Sequence, residues 1–231
     1  MPIPIYLAMT ASELVSCSKP PQYTAWMAGH LWAESAQPAA IPPNLPPASL
    51  LVMDDRESYN DYNAAQIANK LADLFIQAQC SAILLDFQRY NMPQQQSLVA
   101  EIEKRDLPFA VSAGYASGRS CTVFAPPLPF TTTLDAYLKQ WQGRKVWLEL
   151  ALDATVITVT PEGSVQKYLP VFQPCCPGQN DRKLHCHYSI QFSEDTAVFT
   201  LWRTKEDIEA IAKQAEHLGV SLSVGLWHEL Q

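Results

Sequence analysis

The sequence predicts an α/β protein, a compact TIM-like (β/α)₈ barrel carrying a β-hairpin insertion, and three observations point there. Short apolar strand patterns alternate with helical ones along the chain, which argues for a parallel sheet with right-handed crossovers. Charged residues make up only 17% of the chain and hydrophobic ones 48%, the balance expected of strands buried on both faces. The length of 231 residues suits one barrel domain over 1–231, since α/β barrels of about 200–250 residues are ordinary single domains. An open doubly wound sheet is the main alternative. No Gly-rich phosphate loop supports its nucleotide-binding form.

Nine apolar runs read as strands: Ile3–Met9, Thr24–Leu31, Ser49–Asp54, Ser81–Phe87, Pro108–Tyr115, Cys121–Phe124, Val146–Leu152, Ala197–Trp202 and Ser221–Trp227. Each is short and bounded by Gly, Pro, Asn or Asp. A closed barrel needs eight, so one of the first two, or Cys121–Phe124, is expected at the periphery. Between them, Tyr62–Ala78 places Ile67, Leu71, Leu74 and Phe75 at helical spacing with Asp61 near its start. Gln94–Lys104 and Thr133–Trp141 are further helix candidates. Lys205–Leu218 follows Thr204 as N-cap, has Asp207 three residues later, and ends at Gly219. Gln37–Ala48, with five prolines, reads as a stiff surface loop. The stretch at about 153–196 holds two period-2 segments, Val156–Thr160 and His187–Phe192, and reads as a β-hairpin emerging at the barrel mouth.

Composition excludes several classes. The net charge is −7, and Lys and Arg form no stripe able to track phosphates, which disfavours nucleic acid. No apolar run approaches the ~18 residues of a membrane span. The segment before Ser18 has no basic residue ahead of its apolar stretch, unlike a secretory signal, so the chain is expected in the cytoplasm. Six cysteines without a Cys-x-x-Cys pair should be free thiols, with Cys80 and Cys121 in the core. No cofactor is expected, and oligomeric state is not legible.

Alternation along the strands locates the polar residues. In Ser81–Gln88, Ile83, Leu85 and Phe87 share one face, while Ala82, Leu84, Asp86 and Gln88 share the other. In Val146–Asp153 the leucines 148, 150 and 152 face helices, leaving Trp147, Glu149, Ala151 and Asp153 inward. Applied to the last strand, the same scheme puts Leu222, Val224 and Leu226 outward and Ser223, Gly225, Trp227 and Glu229 inward. Asp86, Glu149 and Glu229 therefore become the candidate catalytic carboxylates, and Asp55, Gln88, Tyr115, Asp153 and Trp227 the ligand-binding set at the C-terminal mouth. Each has a plainer role available. Asp54, Asp55 or Asp153 can cap a helix or hold a loop Arg, Trp227 can be core, and Glu149 can pair with Arg203 or Arg89.

The run Ala82-Ile83-Leu84-Leu85-Asp86-Phe87-Gln88 resembles the fourth-strand signature of the chitinase-like family-18 glycoside hydrolases, Asp-Gly-x-Asp-x-Asp-x-Glu. Gly225-Leu226-Trp227 is similar to that family's closing strand and Trp. The resemblance implies a (β/α)₈ barrel and a carbohydrate ligand. Asp86 matches, whereas Gln88 stands where that family has its catalytic Glu and Leu84 where it has its middle Asp. Gln cannot donate the proton that general-acid cleavage requires. Hydrolysis would then need relocated carboxylates such as Glu149 or Glu229, about 5–9.5 Å from a partner. A non-catalytic structural or interaction protein on the same scaffold is the rival. A third reading is a metal site at His185-Cys186-His187, with Cys175-Cys176 upstream. No Gly-x-Ser-x-Gly elbow supports a serine hydrolase.

Overall fold

The structure, a computed structural model, describes residues 3–30, 40–56, 62–169, 172–174 and 178–231. Cys175, Cys176 and Asp61, each weighed above, lie outside them. The chain begins with β1 (Ile5–Thr10), α1 (Ala11–Ser16), β2 (Thr24–His30), β3 (Leu50–Asp54), α2 (Ala64–Gln77), β4 (Ala82–Asp86) and α3 (Pro93–Glu103). It continues with β5 (Phe109–Ser112), β6 (Thr122–Ala125), α4 (Leu134–Leu138) and β7 (Val146–Leu150). After five further strands come α5 (Lys205–His217), then the last barrel strand and a closing helical turn. Those five are β8 (Ala154–Thr160), β9 (Gly163–Leu169), β10 (Gln179–Asp181), β11 (Cys186–Ser193) and β12 (Thr196–Trp202); the last pair is β13 (Leu222–Leu226) and α6 (Trp227–Leu230).

Strands β1 to β7 pair in parallel with their neighbours, and β13 pairs with both β7 and β1 to close the barrel. The open doubly wound alternative is thereby excluded. All three runs suspected of lying outside, at β1, β2 and β6, belong to the barrel. The surplus run is Ala197–Trp202, which is β12 of a separate antiparallel sheet ordered β10-β11-β12-β8-β9. The insertion is thus five strands, not one hairpin, and runs on to Trp202. A single apolar strand looks the same in sequence whichever sheet it joins, because burial alone sets its composition.

Two apolar layers hold the barrel. Inside sit Tyr6, Ala8, Ala25, Leu50, Val52, Ala82, Leu84, Ala110, Phe124 and Trp147. Outside, alternate residues such as Leu51, Met53, Ile83, Leu85 and Val111 pack against Ile67, Leu71, Leu98 and Ile102 of α2 and α3. Each such fully buried aliphatic side chain contributes roughly 1.5–3 kcal/mol by leaving water. Helix starts are set locally. Asn63 accepts a hydrogen bond from Gln66 N at 3.0 Å to cap α2, and Thr204 with Asp207 forms a reciprocal capping box on α5. Gly219 closes α5 at φ +86°, a left-handed conformation that favours glycine.

The closing strand reverses the expected alternation. Leu222 stands beside Trp147 and Val224 beside Glu149 in the register of β13 with β7, so both leucine and valine face the interior. Ser223 and Gly225 face outward. A Cβ on Gly225 would meet Leu230 Cδ1 at 2.3 Å and the Leu150 carbonyl oxygen at 2.9 Å, so glycine there lets α6 fold back onto β7. No helix among the described residues is long and apolar enough to cross a membrane.

Candidate active site at the barrel mouth

Paired residues on adjacent parallel strands point to the same side, so the register specifies what lines the mouth. Leu50, Val52 and Asp54 of β3 stand beside Ala82, Leu84 and Asp86 of β4, which puts Asp54 on the inner face next to Asp86. Glu149 occupies the inner face of β7 one step above Trp147. A cavity of about 450 Å³ opens there, lined by Asp86, Gln88, Tyr90, Glu149, Asp153 and Tyr168 among others. Its volume lies within the roughly 300–1,000 Å³ of small-molecule sites. Tyr168 comes from β9, so the insertion does contribute a wall to the mouth.

Asp86 is 8% exposed. It accepts hydrogen bonds from Gln88 Nε2 at 2.7 Å and Ser112 Oγ at 3.4 Å. Burial pushes its carboxyl up to about 6 against the opposing pull of Arg56. Glu149 receives no hydrogen bond from a described residue. Burial first, then the charges of Asp86, Glu229 and Asp153, push it up to about 8. Two carboxyls in one apolar-walled space cannot both ionise at ordinary cost. The pair therefore titrates as a coupled unit.

Asp153 also lines the cavity, but its Oδ1 is held at 2.8 Å by Arg203 Nη1. That guanidinium lies 4.2 Å from the centre of the Phe130 ring. Arg203 therefore pairs with Asp153 and not with Glu149. Arg89 likewise turns away, its Nη2 donating to the Arg56 carbonyl at 3.4 Å.

Other expected site residues have other work. Asp55, expected to bind ligand, is fully buried: its two oxygens accept from Gln88 N at 2.7 Å, Arg89 N at 3.2 Å and Gln95 Nε2 at 3.1 Å. It ties the end of β3 to the loop after β4, one residue out of phase with the inner face. Asp55→Asn, which swaps one acceptor for a donor facing these N–H groups, should cost about 1–3 kcal/mol, read from the urea midpoint. Tyr115 edges the cavity, yet its ring packs edge-on to Phe87 and its hydroxyl bonds Met92 N and the Arg89 carbonyl. Trp227 does not point inward. It opens α6 and packs against the outer layer, because β13 is inverted. Glu229, expected as a catalytic group, lies on α6 outside the cavity lining, where Oε2 accepts from Leu152 N at 3.0 Å.

The histidine pair does not converge either. His185 sits in a turn at φ +49° and bonds Gln214 Oε1, whereas His187 Nδ1 lies 2.9 Å from Asp207 Oδ2 and stacks on Trp202. Among the described residues no group of three or more His, Cys, Asp or Glu could hold a metal. Asp54, weighed with Asp55 as a rim residue, takes its place beside Asp86 through the alternation Leu50, Val52, Asp54. Missed in the sequence were Arg56, Tyr90 and Tyr168; the tyrosines lie on loops and the insertion, where no periodicity reports direction.

No protein-family model matches the sequence, and no curated protein does. Solved structures do match in fold. The spore cortex-lytic enzyme SleL of Bacillus cereus aligns with a TM-score of 0.61 at 9% identity, over 99% of this chain and 71% of that one. Chitinase ChiW of a Paenibacillus strain gives 0.63 at 10% identity, over 99% of this chain and 41% of that one. The group IV chitinase of Ostrinia furnacalis gives 0.57 at 8%, over 98% and 92%. The resemblance carried by the fourth strand thus extends to the whole barrel, at the level of fold.

Proposed function

We propose that the barrel mouth binds a small polar, carbohydrate-like ligand. One observation carries this reading: a single cavity combines the carboxyls of Asp86 and Glu149 with the rings of Tyr90 and Tyr168, 83% and 57% exposed. Aromatic faces cover the apolar faces of sugar rings, while carboxyls bond their hydroxyls. Neighbours in fold that are named chitinases and cortex-lytic enzymes support the same class of ligand.

Hydrolysis is the second reading, favoured by the unequal environments of the two carboxyls. Gln88 has no proton to give, so Glu149 serves as acid and Asp86 as its ionised partner. The sign follows: activity needs Asp86 deprotonated and Glu149 protonated, so it falls below about 6 and above about 8. A thermal-shift panel of chitin oligosaccharides, spore-cortex fragments and free sugars tests binding, and reducing-end release across pH tests cleavage. Stabilisation with a bell centred near neutrality supports both readings. Stabilisation without release leaves binding alone. No stabilisation by any sugar favours a structural or interaction role on this scaffold.

A further inference from the structure

We propose that the ligand is an amino sugar, one that presents a free, protonated amine to the space between Glu149 and Asp86. This rests on the reading of the mouth as a carbohydrate site and specifies which carbohydrate it takes.

Three carboxyls line the cavity, Asp86, Glu149 and Asp153, and among the described residues one cation does, Arg89. Two of the cations nearby are paired with carboxylates, and the third is turned toward the backbone. Arg203 is committed to Asp153 at 2.8 Å, Arg56 lies 3.5 Å from Asp54, and Arg89 reaches back to the Arg56 carbonyl. Asp86 has only neutral donors, the Gln88 amide and the Ser112 hydroxyl. Glu149 has no described donor. Around it stand Asp86 from β4, Asp153 beyond β7 and Glu229 from α6, whose charges push it up against the pull of Arg56. The nearby phenols Tyr137 and Tyr168 are themselves pushed upward and stay neutral at pH 7.

A neutral sugar supplies only hydroxyl dipoles to these carboxyls and leaves Glu149 in its protonated form. An ammonium supplies three N–H donors and the missing charge together, on a compact group. Charge-assisted bonds of that kind are about twice as strong as neutral ones. An acidic sugar would meet the carboxyls with its own charge and is disfavoured. Binding of an ammonium also favours the ionised form of Glu149, which makes Glu149 a binding carboxylate for this ligand and not the proton donor of the hydrolytic reading. A proton held there in the free protein must then leave to solvent.

Calorimetry with the full chain at pH 7, in two buffers of different ionisation enthalpy, compares glucosamine tetramer with its fully N-acetylated counterpart. The free-amine oligomer should bind at least about tenfold tighter with a net release of protons, the proton lost by Glu149 less any taken up by the bound amine, while the N-acetylated one releases none. The preference should collapse in Glu149→Gln and weaken in Asp86→Asn. Equal or tighter binding of the N-acetylated oligomer overturns this proposal and leaves the carbohydrate reading standing. Binding of neither oligomer overturns both.

Discussion

Glu149→Gln should melt higher than the parent protein at pH 8 and bind the ligand roughly thirtyfold or more weakly, the usual loss when one partner of a buried charged contact is removed. The stability gain follows from linkage. In the unfolded chain Glu149 ionises near its ordinary 4.5, whereas in the fold it holds its proton to about 8. Between those values the folded state binds the extra proton, so stability declines as pH rises through this window, and above about 8 the full cost stands. Gln has no such slope. Its advantage should be near zero at pH 4 and reach about 1–3 kcal/mol at pH 8, or roughly 2–12 °C in a protein of this size. Scanning calorimetry at both pH values checks this. A lower melting temperature at every pH would show that Glu149 supports the fold through a partner instead.

Asp153→Ala should have the opposite sign and the larger size. It strands Arg203, whose side chain is 1% exposed and whose Nε and Nη2 already lack partners among the described residues. Uncompensated charge of this kind costs about 3–5 kcal/mol, on the order of 10 °C here. The double variant Asp153→Ala with Arg203→Met should recover most of the loss, because the buried charge is gone. Urea unfolding of the two variants decides it. A single variant within 0.5 kcal/mol of the parent, the ordinary spread for surface changes, would remove the pair from the structural account.

Much of the barrel was legible because inner and outer faces alternate with a period of two. Asp86, Gln88, Glu149 and Asp153, read from the alternation of Leu84, Leu85, Trp147 and Leu148, line one cavity. The same rule failed on β13, where every candidate inner residue was small, polar or followed the strand. Leu222 and Val224 look identical whether they fill the barrel or face a helix, and only pairing with Trp147 and Glu149 distinguishes the two. Trp227 and Glu229 fell with that error. Asp55 illustrates a different limit: two adjacent aspartates at a strand end share one composition, yet one residue of phase separates a mouth residue from a buried tie. The insertion was found as a break in alternation, but its strand count depends on long-range antiparallel pairing that local pattern does not carry.

The neck of that insertion has a consequence for how the chain folds. Ala154 and Trp202 are cross-strand partners, and below them Arg203 N donates to the Asp153 carbonyl at 3.2 Å. The excursion therefore leaves and re-enters the barrel within one strand spacing, about 5 Å. To the barrel, everything between is one closed loop, whose entropic cost grows only as the logarithm of its length. Closure can be prepaid within the insertion, since the β8–β9 and β11–β12 hairpins turn back over short loops and pair without any barrel strand. Such a topology uncouples two contact maps inside one chain. The antiparallel sheet can change length, lose strands or gain them while β7 and β13 still find each other across the same short gap.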